Sequence, residues 1–188
     1  MTTPIPPEIK TELAEWYEPI LPKESFTLLD LGCGSQRRTR YFNFSDCVGV
    51  DGNAKYKDDC HPATRFVNAD VVTFLQNDEQ TFDVVACFEV IEHQRFDVAL
   101  RLIGLMKTRA KRLLVLVSPD GYSYNFQENH GDDNLEEHRC GFTQDQFEFL
   151  DFTVKRLVDM RMGLKVRHDE QRIPYPPSWD RLMAYWRP

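Results

Sequence analysis

The sequence predicts a doubly wound α/β domain: a mostly parallel seven-stranded sheet, helices on both faces, and a C-terminal antiparallel hairpin. Short apolar runs at 26–31, 47–50, 64–68, 82–88 and 113–117 alternate with segments of helical length, which is the rhythm of strand–helix–strand units. Within each run the apolar residues are nearly continuous rather than alternating, as expected for strands buried on both faces. Two further strand-like segments, 152–159 and 182–186, flank a proline-rich link at 174–177 and suit a hairpin at one edge.

Taken in order, Pro6 and Pro7 precede a helical pattern over 8–17, in which Ile9, Leu13 and Trp16 recur at helical spacing, and Pro19 and Pro22 stop it. The first strand, 26–31, runs into a glycine-containing loop. The second ends at the turn signal Asp51-Gly52-Asn53, and the third closes on Ala69-Asp70. The fourth follows the polar cluster 76–81, and the fifth is closed by Ser118-Pro119-Asp120-Gly121. Between them, 96–108 carries the stripe Val98, Leu102, Leu105 and Met106 and a basic end at 107–112, which suits a helix C-terminus. Residues 121–139 are polar and too long for an ordinary connection, so they read as a functional loop. Thr143 then looks like an N-cap, with Phe147, Phe149 and Leu150 as the apolar contacts of the helix it starts.

At 188 residues the chain reads as one domain, 1–188. An apolar share of 41% fits a globular protein, and a formal charge of −7 argues against a nucleic-acid binder with a broad basic face. The compact basic run 36–40 reads as an exposed helix face. No apolar run approaches the roughly 18 residues of a membrane helix, and Met1-Thr2-Thr3-Pro4 lacks signal-peptide character, so a cytoplasmic location is expected. The cysteines at 33, 47, 60, 87 and 140 are odd in number and form no CxxC pair. They read as reduced thiols rather than zinc ligands.

The chemistry gathers at strand ends. In an open α/β sheet ligands bind beyond the carboxyl ends of the strands. Asp30 closes the first strand before Gly32 and Gly34, glycines that let bare backbone approach a ligand. Asp51 closes the second strand about twenty residues on, where a carboxylate can accept ribose hydroxyls. Asp70 follows the third, placed to accept a hydrogen bond from an exocyclic amine. Singly, each also reads as an acid capping a turn or helix; three after successive strands point to a site. Arg37 occupies the third glycine's place in a dinucleotide loop, which counts against a nicotinamide oxidoreductase.

Glu89-Val90-Ile91-Glu92-His93 comes directly off the fourth strand. If a helix starts here, Glu89, Glu92 and His93 share one face while Val90 and Ile91 turn to the core. His93 could then serve as a general base toward a hydroxyl, or the set could bind a hard divalent ion such as magnesium or manganese. A capped helix start is the plain structural alternative.

With these residues in view, the chain resembles the class I S-adenosylmethionine-dependent methyltransferases over most of its length. Leu29-Asp30-Leu31-Gly32-Cys33-Gly34 is similar to their cofactor loop, Gly49-Val50-Asp51 to their ribose-binding strand end, Asn68-Ala69-Asp70-Val71 to their adenine contact, and 82–89 to their fourth strand. The resemblance implies a Rossmann-like fold in which Asp30, Gly32 and Gly34 form the loop at the methionine end of the cofactor. Asp51 and Gly52 would meet the ribose, Asp70 and Val71 the adenine, and Phe88 would give a main-chain contact. Gln36 departs from the pattern, standing where the family often has a third glycine.

Glu-x-x-Glu-His also resembles a motif of ubiquinone-pathway O-methyltransferases and small-RNA terminal 2′-O-methyltransferases, where it is linked to a divalent metal and a downstream histidine. The segment 136–143 resembles that downstream part, so Glu92, His93 and His138 are the implied catalytic set and Glu89, Glu92, His93 and His138 the implied metal set. The same pattern occurs in small-molecule and sugar methyltransferases of no known metal dependence. His130, beside Asp132 and Asp133, is a weaker candidate; Tyr122, Tyr124 and Phe126 either line an acceptor pocket or pin the loop. Residues 1–25 would form a helical lid and 119–142 an acceptor loop.

The expected activity is methyl transfer from S-adenosylmethionine to an oxygen, less readily a nitrogen, of a small-molecule, sugar or lipid-like acceptor, by a monomer or homodimer that is not inserted in a membrane. A metal-dependent RNA 2′-O-methyltransferase and a non-catalytic cofactor-binding or partner-activating module are the competing expectations.

Overall fold

The computed structural model describes residues 5–122, 137–157 and 181–188. Seven strands form one sheet: β1 (Phe26–Leu31), β2 (Phe44–Asp51), β3 (Thr64–Asn68), β4 (Phe82–Phe88), β5 (Ala110–Pro119), β6 (Thr153–Leu157) and β7 (Arg181–Trp186). Their order is β3-β2-β1-β4-β5-β7-β6. Strands β1 to β5 pair in parallel, and β7 lies antiparallel between β5 and β6. The strand order reverses between β1 and β4, and the carboxyl ends of β1, β2 and β4 meet at that switch point.

The sheet sides bury different partners. One core joins Leu29, Leu31, Val85 and Leu114 to the inner faces of α2 (Val71–Asn77), α3 (Phe96–Arg109) and α4 (Gln144–Phe149). The other joins Leu28, Val84, Ala86 and Val115 to the N-terminal segment through Ile9, Leu13 and Tyr17. Among the described residues, the second face is covered by helix only through this segment. It is α1 (Pro7–Glu12) running into a π-turn, Leu13–Tyr17. The wider turn, closed by Glu18 N donating to Leu13 O at 2.8 Å, brings Tyr17 into line with Ile9 and Leu13, so Tyr17 is buried and Trp16 sits at the margin.

Other departures from the sequence expectation have local causes. Strands β2 and β5 start earlier than their apolar runs, because Phe44 and Asp46 already pair with β1 and Ala110 with β4, across irregularities at the exposed polar residues Ser45, Lys111 and Arg112. Helix α3 buries Ala99, Leu102, Ile103 and Met106, with Val98 and Leu105 at the edge of the stripe. Thr143 caps α4 with a full capping box, but the helix is so short that Phe147 alone reaches the core and Phe149 is 91% exposed. The link 174–177 lies outside the described residues. Among the described residues, no helix is long and apolar enough to cross a membrane.

Gly32 has φ +64°, and a Cβ there would sit 2.1 Å from Val90 Cγ2. Gly34 has φ +47° with open space around it. Gly32→Ala should therefore destabilise by about 3 kcal/mol, from backbone strain plus overpacking, and Gly34→Ala by about 1 kcal/mol from strain alone. Urea melts of the two variants check the order.

Candidate active site at the carboxyl edge of the sheet

The glycine loop is tied to β2 at several points. Gly32 N and Cys33 N both donate to Val50 O, at 2.8 and 3.1 Å. Asp51 Oδ2 accepts from Gly34 N at 2.9 Å, and its Oδ1 accepts from Asn53 N at 2.8 Å. Asp51 thus holds the loop and its own turn while staying half-buried.

Below the loop lies Gln36, 1% exposed and left-handed at φ +52°. Its Nε2 donates to Asp30 Oδ2 and to Cys47 Sγ, and its Oε1 accepts from His61 N and Thr64 Oγ1, both at 2.9 Å. One amide therefore links the last part of β1, the middle of β2 and the start of β3. Asp30 also accepts from Thr39 Oγ1 and is 3% exposed, so its carboxylate braces the loop from beneath. Burial raises its pKa to about 6, with the Asp51 charge adding, against the hydrogen bonds from Thr39 and Gln36.

Asp70 is exposed and caps α2, its Oδ1 accepting from Thr73 N at 2.8 Å; Val71 behind it is buried. Gly52 is exposed in the turn after β2. Phe88 is half-buried against Tyr17 and Phe42, with ring centroids 5.3 and 6.4 Å away. Asp51, Gly52, Asp70, Val71 and the glycine loop thus share one edge of the sheet.

The basic run is not an exposed helix face. Only Thr39–Tyr41 turn, as a 3-10 helix, Thr39 is buried, and Arg38 is half-buried in an ion pair with Glu12.

No helix starts at Glu89. It takes a left-handed conformation, φ +56°, and the 3-10 turn Ile91–His93 begins after Val90. The expected shared face is lost as a result. Glu89 instead turns to Arg181 on β7, whose Nε donates to both carboxylate oxygens at 2.7 and 2.9 Å.

Glu92, His93 and His138 do converge, their ligand atoms all within 4.8 Å of one another. The segment carrying His138 is docked by backbone: Arg139 N and Cys140 N donate to Glu92 O, and Tyr122 Oη donates to His138 O. Tyr122, 57% exposed, thereby pins the loop. His93 Nδ1 lies 3.2 Å from Glu137 O. A carbonyl only accepts, so Nδ1 carries the proton and Nε2 keeps a lone pair in the neutral ring. The imidazoles of His93 and His138 meet edge-on at 4.9 Å.

Glu92 is 1% exposed, and neither carboxylate oxygen has a geometrically formed hydrogen bond among the described residues. Burial first, and the Glu89 charge second, push its pKa well above the usual carboxylate range, against the Arg181 charge. The Tyr17 hydroxyl is likewise buried without a partner among the described residues, at a cost of about 1–3 kcal/mol. Tyr124, Phe126, His130, Asp132 and Asp133 lie outside the described residues. Sequence reasoning missed Tyr17, Glu12 and Arg181, whose partners are remote in sequence. For Gln36 a signal existed, a polar residue in place of an expected glycine.

A family model described as "Methyltransferase domain" matches residues 8–150. A search of curated protein sequences returned no significant match. Among solved structures, a SAM-dependent methyltransferase from Archaeoglobus fulgidus superposes with a TM-score of 0.61 at 19% identity, over 95% of this chain and 93% of that one. Burkholderia thailandensis 1,6-didemethyltoxoflavin-N1-methyltransferase, solved with 1,6-didemethyltoxoflavin and S-adenosylhomocysteine, gives 0.60 at 16% identity, over 97% and 77%. The small RNA methyltransferase HEN1 gives 0.62 at 18% identity, over all of this chain but 26% of that one. These likenesses show the fold. With the family match over most of its length, the chain belongs to the class I S-adenosylmethionine-dependent methyltransferases. It is an enzyme of methyl transfer.

Between about pH 4 and about pH 6 the folded protein keeps a proton on Asp30 that the unfolded chain has released. Stability therefore falls as pH rises through that window, by up to about 3 kcal/mol for this group. Urea melts of wild type and Asp30→Asn at about pH 4.5 and about pH 7.5 should show the wild type losing stability relative to the variant at the higher pH.

Proposed function

We propose that this methyltransferase carries the S-adenosylmethionine methyl group to an oxygen of a small-molecule, sugar or lipid-like acceptor. The observation that carries this reading is the convergence of Glu92, His93 and His138 beside the glycine loop. The sulfonium is already reactive, so holding acceptor, methyl and sulfur in line supplies most of the gain. The acceptor oxygen bonds the methyl carbon, the carbon–sulfur bond breaks, and its electron pair stays on sulfur, leaving S-adenosylhomocysteine. His93 Nε2 takes the hydroxyl proton, with its ring oriented by the Glu137 carbonyl. Glu92 and His138, whose ligand atoms lie within 4.8 Å of its own, fix the position of the His93 ring. In this reading Gly32, Gly34, Asp51, Gly52, Asp70, Val71 and Phe88 hold the cofactor, while Asp30 braces the loop from below.

The orphaned Glu92 carboxylate supports a second feature of the same site, a divalent cation held by Glu92, His93 and His138. Two imidazoles and one carboxylate suit manganese or zinc better than magnesium, which prefers oxygen. Glu89 is ion-paired with Arg181 and is not among the clustered ligand atoms, although its charge bears on Glu92. When bound, such an ion would lower the pKa of an acceptor hydroxyl.

The net charge of −7 counts against an RNA acceptor. A binding-only module gains nothing from an unpaired buried carboxylate that costs stability, so Glu92 also counts against that reading.

On an identified acceptor, His93→Ala should cut turnover by about 100-fold or more. Glu92→Leu should cut it similarly while raising stability by about 1–2 kcal/mol, because it removes an unsatisfied buried carboxylate. Turnover with and without EDTA, alongside thermal melts, checks both; turnover left intact by both substitutions contradicts the assigned set.

A further inference from the structure

A recess of about 380 Å³ lies at the amino edge of the sheet, opposite the edge that carries the glycine loop. Three separate stretches of chain build it: residues 20–24, which lead from the N-terminal segment into β1, the start of β5 at Arg112 and Leu113, and Arg187 just past β7. The sheet register brings the last two together, because β7 runs antiparallel to β5 and Trp186 pairs with Leu114. Leu21, Pro22 and Leu113 supply apolar lining, and Lys23, Arg112 and Arg187 supply cationic lining.

Positive charge is in excess here. Arg112 is ion-paired with Glu24 at 2.5 Å, and Asp83, whose charge also acts on Arg112, is answered by Lys111. Lys23 Nζ donates to Glu18 O at 3.2 Å, and Arg187 Nη2 donates to Ile20 O at 3.1 Å. Both acceptors are neutral carbonyls, so these two cations keep their full charge. Lys23, Lys111, Arg112 and Arg187 thus face Glu24 and Asp83, four cations against two acids, which leaves two positive charges in surplus. The chain as a whole carries a formal charge of −7, so composition does not account for this surplus. All three lining cations are exposed, and their further N–H groups can meet a ligand.

We propose that this recess binds the phosphate group of a small, soluble phosphate monoester, at a site separate from the methyl-transfer edge. A monoester dianion matches two surplus charges, which a carboxylate would leave half compensated. The guanidinium forks of Arg112 and Arg187 suit adjacent phosphate oxygens, and Lys23 adds a point charge. The body of the ester lies against Leu21, Pro22 and Leu113. At about 30 Å³ per water the recess equals roughly a dozen waters, room for a group larger than phenyl phosphate. The negative charge of the whole chain opposes approach to an anionic bilayer, which favours a soluble ester over a lipid headgroup. Occupancy ties residues 20–24 to β5 and β7, and thereby steadies the N-terminal segment that covers the sheet. The proposal is independent of the acceptor taken at the opposite edge.

Calorimetry at about pH 7.5 on the full chain, with S-adenosylhomocysteine in excess at the opposite edge, tests it with phenyl phosphate, benzoate and phenol as probes. Phenyl phosphate should bind saturably and about fivefold tighter than benzoate or better, and phenol should not bind. Its affinity should fall as salt rises from about 50 to about 300 mM. Lys23→Gln and Arg187→Gln should each weaken phenyl phosphate by about fivefold or more, while affinity for S-adenosylhomocysteine stays within about twofold. Phenyl phosphate should also raise the melting temperature of the wild type more than that of either variant, and the same melts show that both variants fold. No binding of phenyl phosphate by the wild type, equal binding of phenyl phosphate and benzoate, or folded variants that bind like the wild type would overturn the proposal. So would sedimentation of the chain with phosphatidylcholine vesicles containing phosphatidate, lost in Lys23→Gln; the recess would then read a lipid headgroup.

Discussion

The hydrogen bond from Gln36 to Asp30, deep beneath the glycine loop, is the contact on which the site depends. Without it two buried polar groups would lose partners, and the end of β1 would lose its tie to His61 and Thr64 at β3. Gln36 takes a left-handed backbone conformation to make the bond, a strain of about 1–2 kcal/mol. The four contacts of its amide offset that strain. A glycine there would relax the backbone but supply none of them. The loop is accordingly held from two sides, by Gln36 and Asp30 below and by Asp51 through Gly34 N at its rim.

From this brace the division of the sheet follows. Because β1 and β4 are adjacent and the order reverses between them, the ends of β2 and β3 face one side of the loop and those of β4, β5 and β7 the other. The acids at 51 and 70 belong to the first side, and Glu92, His93 and His138 to the second. The second side also holds the buried side-chain oxygens that lack a partner among the described residues, those of the Glu92 carboxyl and the Tyr17 hydroxyl. Buried polar groups are ordinarily satisfied, so two orphans near one edge are more naturally explained by ligands than by packing.

Much of this was legible in the sequence. Strands β1, β3 and β4 match their expected ranges end to end, with Ser25 and Gly32 bounding β1, and Thr81 and Glu89 bounding β4. Thr143 announced the start of α4 through a capping box that the structure completes. What escaped was set by contacts distant along the chain. Glu89 is drawn from its expected helix by Arg181, 92 residues away, and Tyr17 displaces Trp16 from the core through a π-turn that periodicity cannot register. Gln36 looked like a defect in a glycine loop, and only the positions of Asp30, His61 and Thr64 show what it holds.

Calorimetric titration of S-adenosylhomocysteine into wild type and Asp51→Asn tests the central claim most directly. Asparagine keeps the size of the side chain but accepts poorly from two ribose hydroxyls. The wild type should bind one equivalent, and the variant should bind about tenfold more weakly or worse, with thermal melts of both reading any loss of the Gly34 N contact to Asp51. No binding by the wild type, or equal binding by the two, would contradict the account.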